Sequence, residues 1–283
     1  MRSSEHLLTP FRGSARFTEE WRHFGYHVED GVGVVTFDRP DRLNALTFEV
    51  YADLRDLLTE LPHREDGPRV LLITGRGRGF CSGGDVDEII GALLELDTHQ
   101  TMQFTRMTGS VVQRMRECPI PIVAAINGIA AGAGAVIALA ADFRVMARSA
   151  SFEFLFTKVG LAGADMGAAY LLPRLVGLGR ATELLMLGHR IDADEACIIG
   201  LATEAVEDED LIAEAMTLAR TLAAGPAAAF ATTKLLIARE QDVDLASAIE
   251  LEAAAQALLM RSEDHAEFHR AFQEKRPPKW TGR

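Results

Sequence analysis

Cysteine is scarce in this sequence. Only Cys81, Cys118 and Cys197 occur, an odd and widely spaced set that offers neither a disulfide framework nor metal-ligand spacing. Reduced thiols in a cytoplasmic protein are the expectation, with no bound metal. Positive charge is also in deficit: 29 Lys and Arg face 41 Asp and Glu, for a formal net charge of −12. That balance argues against a general nucleic-acid or anionic-membrane partner, since both call for a basic surface. It leaves room for an anionic small ligand held by a few local donors.

Unbroken apolar runs are rare too. The opening Met1 to Trp21, MRSSEHLLTPFRGSARFTEEW, has no continuous apolar core and reads as a polar extension, not a secretory leader. Pro119 to Ala141 is uncharged and long enough to span a bilayer. Two prolines, Asn127 and a cluster of glycines break it, so strand, turn and buried helix are expected instead. Nucleotide-binding loops are missing as well. GRGRG (Gly75 to Gly79) follows a strand but is not G-x-G-x-x-G, and no G-x-x-x-x-G-K-[ST] occurs. No linker or low-complexity tract divides the chain.

What is present is a mixed α/β pattern. YHVEDGVGVVTFDRP predicts a hairpin turning at Asp30-Gly31. A helix is expected from Thr47, with Tyr51, Leu54, Leu58 and Leu61 on its buried face. RVLLITG and IPIVAAING read as buried strands, with DFRVMA and SFEFLF as further candidates. Helical patterns then dominate, through ATELLMLGH, DADEACIIG, Asp208 to Ala224 and GPAAAFATTKLLIARE, and Leu245 to Met260 closes the set. Gly225-Pro226 punctuates the last helices. The expected division is an extension (1–23), a core (24–224) and a helical C-terminal lobe (225–283).

Two segments share a design. VLLITGRGRGFCSGGD and IVAAINGIAAGAG each run from a strand through glycines toward a helix. Such turns leave backbone N–H groups free at the helix start, and glycine lets a ligand approach the backbone. Two of them facing one point could donate to a single oxygen, as an oxyanion hole does. Tight packing of buried turns is the other reading, and spacing alone does not choose between them.

RGFCSGGDVDEI (Arg78 to Ile89) and INGIAAGAGAVIALAADFRVMARSASF (Ile126 to Phe152) resemble the two signatures of the crotonase, or enoyl-CoA hydratase/isomerase, superfamily. DRPDRLNAL, LPRLVGLGRATELLMLG and FQEKRPPKW extend the resemblance over about Phe24 to Arg283. It implies a spiral of ββα units with a helical C-terminal lobe that makes trimers or dimers of trimers. It implies an acyl-CoA thioester substrate and no cofactor beyond the coenzyme A of that substrate. The thioester oxygen would lie between the N–H groups of Gly84 and of Ala133, within Gly132-Ala133-Gly134. Alanine stands where the family commonly has glycine. The coenzyme would run along Arg42, Leu43 and Ala45, with Ser82, Gly83, Asp85 and Val86 lining the pantetheine path and Gly134, Val136 and Phe156 near the acyl group.

The family's hydratases use two glutamates, and the matching positions here are Val136 and Phe156. Neither side chain can hold or activate a water. A single acid, Asp165, stands in GLAGADMGAAYLLPR, eight residues before Pro173. The family's dienoyl-CoA and epoxyphenylacetyl-CoA isomerases carry an aspartate at that spacing, and the latter pattern is the nearer one. This chain has one residue more between Gly160 and the aspartate. The expectation is a double-bond isomerase with Asp165 as its only acid/base, its pKa raised by apolar surroundings. The rivals are Asp165 as N-cap of a helix starting near Met166, hydratase or hydrolase/dehalogenase-like chemistry, and a catalytically silent acyl-CoA binder. Among the residues flanking the acyl segment, His99, Thr105 and Met107 could line the pocket or be ordinary helix surface or core.

Overall fold

The hairpin at Asp30-Gly31 forms. β1 (Gly25–Glu29) runs antiparallel to β2 (Val32–Phe37). The two turn residues have φ of 50° and 76°, the left-handed pair that matches the twist of a two-residue hairpin. The computed structural model describes residues 16–282. Most of the extension expected over 1–23 therefore lies outside the described residues. Trp21 stacks on Phe24 at 6.0 Å, and both are buried.

Thr47 caps α1 (Phe48–Glu60), where its side chain accepts from the Val50 N–H. Tyr51, Leu54 and Leu58 are buried, as is Leu61 just beyond. β3 (Val70–Gly75) follows, fully buried, and then β4 (Gly79–Cys81). A single turn, α2 (Gly91–Leu93), leads to α3 (Thr98–Glu117), which opens in a reciprocal cap between Asp97 and Gln100. The uncharged run from Pro119 becomes β5 (Ile122–Ile126), β6 (Ile129–Ala131) and α4 (Ala133–Ala140), all but one residue buried. No single helix among the described residues is long and apolar enough to cross a membrane.

β7 (Phe143–Ala147) and β8 (Ser151–Glu153) complete the pattern. SFEFLF was expected to be one strand, but only its first three residues pair. Glu153 lies opposite Ala131, the last residue of β6. Beyond it Gly132 turns at φ 49° into α4, and no backbone remains to extend the ladder. The second half adds α5 (Ala168–Val176), α6 (Leu178–Leu187), β9 (Ile191–Asp192), α7 (Ala193–Ile198), β10 (Glu204–Val206) and α8 (Leu211–Ala223). It ends in α9 (Ala227–Glu240), α10 (Leu245–Leu259) and α11 (Glu263–Glu274). The last is a helix beyond the one expected to close the set. Ser262 caps it by accepting from the His265 N–H.

The strands sort into two sheets, β1-β2-β3-β5-β7-β10 and β4-β6-β8-β9. In β3/β4, β5/β6 and β7/β8, the first strand enters the large sheet and the second the small one. β3, β5 and β7 are mutually parallel neighbours, and so are β4, β6 and β8. This repeat is the expected spiral of ββα units, with the echo seen in two segments extending to a third.

Candidate active site

β4 and β6 lie side by side, so the turns that follow them leave the small sheet together. A Cβ built on Gly83 would lie 3.5 Å from the Ala133 nitrogen and 3.1 Å from the Ala131 oxygen. One built on Gly134 would lie only 2.2 Å from the Cys81 oxygen. Glycine is required there for the first turn of α4 to press against the end of β4.

A short parallel bridge joins Leu46 to Gly84. The Leu46 N–H donates to the Gly83 oxygen at 2.8 Å, and the Asp85 N–H donates to the Leu46 oxygen at 2.9 Å. The Gly84 N–H lies between these bonds and has no acceptor among the described residues. The same holds for Ala133, the first residue of α4, where the N–H groups of a helix have no internal partner. The two nitrogens singled out in the sequence are thus free donors on adjacent turns.

The loop from Arg39 to Thr47 clamps this arrangement. Asn44 donates to the Gly79 oxygen at 2.7 Å and the Arg76 oxygen at 3.0 Å, and accepts from the Arg39 N–H at 2.9 Å. The Ser82 N–H donates to the Leu43 oxygen at 3.0 Å, and the Ser82 hydroxyl lies 3.3 Å from the Arg42 oxygen. Arg42, Leu43, Ala45, Ser82, Gly83 and Asp85 therefore do gather in one place. Their side chains differ in availability. Arg42 is exposed and pairs with Asp87 at 2.8 Å. Val86 is exposed, while Ala45 is buried. The Asp85 carboxylate accepts from the Asp87 and Glu88 N–H groups at 3.0 and 3.1 Å and lies 3.0 Å from Arg39. These N–H donors, aided by Arg39, hold its pKa below the ordinary aspartate value.

Asp165 is held differently. A single 3-10 turn (Phe156–Val159) ends at Gly160, residues 160 to 162 are exposed loop, and the chain returns to the protein at Gly163. A Cβ there would lie 2.2 Å from the Leu185 oxygen of α6, so backbone packs directly on backbone. Asp165 follows, half-buried. It does not cap a helix with its side chain, contrary to the rival expectation. Met166 and Gly167 take φ of 49° and 90°, and α5 begins at Ala168 with Gly167 in the cap position. Only the Asp165 carbonyl takes part, accepting from the Ala168 N–H at 2.8 Å. A non-glycine residue in the left-handed region is a local strain, and here it separates the carboxylate from the helix start. Burial raises the Asp165 pKa, opposed by one hydrogen bond from the Met166 N–H.

Val136 and Phe156 are both buried. Of the flanking candidates, His99 and Thr105 are exposed and Met107 is half-buried. In the same part of α3, Phe104 packs edge-on to Phe48 at 5.2 Å and to Tyr51 at 6.1 Å. Tyr51 was legible only as a core position of α1. Its hydroxyl lies 3.9 Å from a Cβ built on Gly84, and burial raises its pKa well above the ordinary value, with the charges of Cys81 and Asp165 adding to the effect. The only sequence signal was one hydroxyl on an otherwise apolar helix face.

A cavity of about 410 Å³ is lined by residues that include Gly109, Val112, Met166, Gly167 and Tyr170, and Asp165 is not among its lining residues. Another, of about 420 Å³, lies between α5 and α9 and shares no residue with the expected set. No group of three or more His, Cys, Asp or Glu among the described residues converges to hold a metal ion.

Residues 27–283 match the family model described as enoyl-CoA hydratase/isomerase. A Rhodobacter capsulatus protein named "Probable enoyl-CoA hydratase" is 41% identical over 259 residues, covering 91% of this chain and 97% of that one. The Escherichia coli 1,2-epoxyphenylacetyl-CoA isomerase is 39% identical over 261 residues, with the same coverage of each. A crystal structure from Streptomyces coelicolor A3(2), assigned by name to the enoyl-CoA hydratases, superposes with a TM-score of 0.95 at 62% identity. It covers 98% of this chain and 100% of its own.

Proposed function

The chain belongs to the enoyl-CoA hydratase/isomerase family, and from that premise we propose that it is an acyl-CoA double-bond isomerase with Asp165 as its single acid/base. The observation that carries this reading is the pairing of one half-buried carboxylate of raised pKa with buried apolar side chains at Val136 and Phe156.

In this mechanism the thioester oxygen accepts from the Gly84 and Ala133 N–H groups. The Asp165 carboxylate takes a proton from the α-carbon of a 3-enoyl-CoA. The electron pair moves onto the thioester oxygen, where the two N–H groups stabilise the dienolate. Asp165 then returns the proton to the γ-carbon, and the double bond ends between the α- and β-carbons. No water is consumed, which suits a dry pocket that protects the intermediate. A raised pKa makes the carboxylate a stronger base than a solvated aspartate.

The same proposal gives the coenzyme a path along Arg42, Leu43, Ala45, Ser82, Gly83, Asp85 and Val86, with Gly134 backing the acyl group. The Asp85 carboxylate is already engaged, so its backbone is what it offers a ligand. The lobe from 225 onward is the proposed trimerisation unit of a cytoplasmic enzyme that needs no cofactor beyond its substrate's coenzyme A. α10 has no buried residue, and Leu245, Ile249 and Leu258 lie exposed along it, which supports that part.

The test is conversion of 3-enoyl-CoA to 2-enoyl-CoA in D₂O by the wild type and Asp165→Asn. Conversion by the wild type with little solvent deuterium at the γ-carbon, and loss of conversion in the variant, is the expected result, because the same proton is returned in a pocket closed to water. Full activity in the variant would remove Asp165 from the mechanism. Water addition to crotonyl-CoA at a useful rate would favour the hydratase reading, and a covalent adduct on Asp165 the nucleophilic one.

A further inference from the structure

The Tyr51 hydroxyl is a polar group that the mechanism above does not use. Its residue is only 2% exposed. It has no hydrogen-bond partner among the described residues, although buried tyrosine hydroxyls normally find one. Yet it is not sealed in. The one enclosed side-chain polar atom without a partner among the described residues is Glu240 Oε1. The Tyr51 oxygen therefore faces accessible space.

Two observations locate that space. The oxygen is 3.9 Å from the Cβ position of Gly84, beside a free N–H. The Asp165 charge also bears on the phenol, with no hydrogen bond between the two. The hydroxyl thus lies beside the Gly84 turn and within reach of the Asp165 charge, and on the reading above the acyl group passes between those two. Its direction is fixed by α1, which Thr47 caps, and by the edge contact with Phe104 at 6.1 Å. Burial keeps the phenol protonated, so it acts as a donor.

We infer that the Tyr51 hydroxyl donates a hydrogen bond to an oxygen carried by the acyl group, so that the site prefers acyl-CoA esters with an ether, epoxide or hydroxyl oxygen next to the thioester. This rests on the reading of the site as an acyl-CoA site. The two backbone N–H groups already serve the thioester oxygen, which leaves the phenol for a second acceptor. A plain hydrocarbon chain would strip water from the phenol and give nothing back, and a site built around a hydroxyl discriminates strongly against ligands that lack its partner.

The probes are methoxyacetyl-CoA and butyryl-CoA, which differ by one ether oxygen in place of one methylene. Calorimetric titration of the whole protein should show the wild type binding methoxyacetyl-CoA about tenfold more tightly. Tyr51→Phe removes one oxygen and should abolish that preference by weakening methoxyacetyl-CoA, while butyryl-CoA, which no longer leaves a phenol unpaired, binds at least as tightly as to the wild type. Equal binding of both esters by the wild type overturns the inference and leaves the acyl-CoA reading intact, whether or not the variant folds. An equal loss of both in Tyr51→Phe also overturns it, since packing alone would do that. If the wild type binds neither ester, the acyl-CoA reading fails and the inference goes with it.

Discussion

Asp85, after β4, accepts hydrogen bonds from two backbone N–H groups and faces Arg39 at 3.0 Å. Asp165, before α5, has one N–H donor and no cation pairs with it among the described residues. The first is pushed below the ordinary aspartate pKa and the second above it. What separates them is the set of donors that replaced water. Asp85 is compensated and so fixes backbone, ordering the turn that presents Gly84. Asp165 is under-compensated, which makes it a poor structural group and suits the base role proposed for it.

That contrast can be broken in four ways. The largest effect falls on Asp165→Asn, with isomerase turnover down by about 10²–10⁴-fold. Because the folded pKa of Asp165 is raised, its ionisation destabilises the fold as pH rises through that value. The variant should therefore melt slightly higher at neutral pH, by about 1–2 °C. The same sign predicts wild-type turnover that falls as acid protonates Asp165, at a pH above the ordinary aspartate value.

Next is Gly163→Ala. Its Cβ would meet the Leu185 oxygen at 2.2 Å, so the loop must shift and carry Asp165 with it. Turnover should fall about 10–100-fold, with a smaller fall in coenzyme A-ester affinity, read as kcat against KM.

Third comes Asp85→Asn, which should act on the fold. It weakens two N–H acceptor bonds and leaves Arg39 without its buried partner, a loss of about 1–3 kcal/mol in denaturant titration. The depressed pKa means this stabilisation is complete above the unfolded aspartate value and disappears as pH falls through the lower, folded one. A variant as stable as wild type would end the contrast between the two acids.

Smallest is Arg42→Ala. Its pair with Asp87 is exposed on both sides, so the melting temperature should not change. A salt-dependent weakening of coenzyme A binding is the expected difference, and its absence removes Arg42 from the phosphate path.

The local signals carried much of the fold. The Asp30-Gly31 turn, the apolar face of α1 and the continuous runs of β3 and β5 are each set by neighbours within a few residues. Of the small sheet only β8 was legible, within SFEFLF, because β4, β6 and β8 have three residues each and depend on pairing between distant segments. The start of α5 was misplaced by two residues. Aspartate is a favoured cap, and nothing in the letters announces a left-handed Met166. In the site, ordered motifs led to the free nitrogens of Gly84 and Ala133. Tyr51 stayed hidden because a helix face shows which residues are buried, not which distant loop they meet.

β4 and β6 are hydrogen-bonded neighbours, and adjacent strands sit about 4.8 Å apart. The two donor turns thus leave one sheet from adjacent strands, and their close approach rests on backbone packing at Gly83 and Gly134, where a Cβ would meet the Ala131 oxygen at 3.1 Å and the Cys81 oxygen at 2.2 Å. Asp165 arrives on a separate loop before α5, so in the proposed mechanism the acid and the two N–H donors are carried by different parts of the chain.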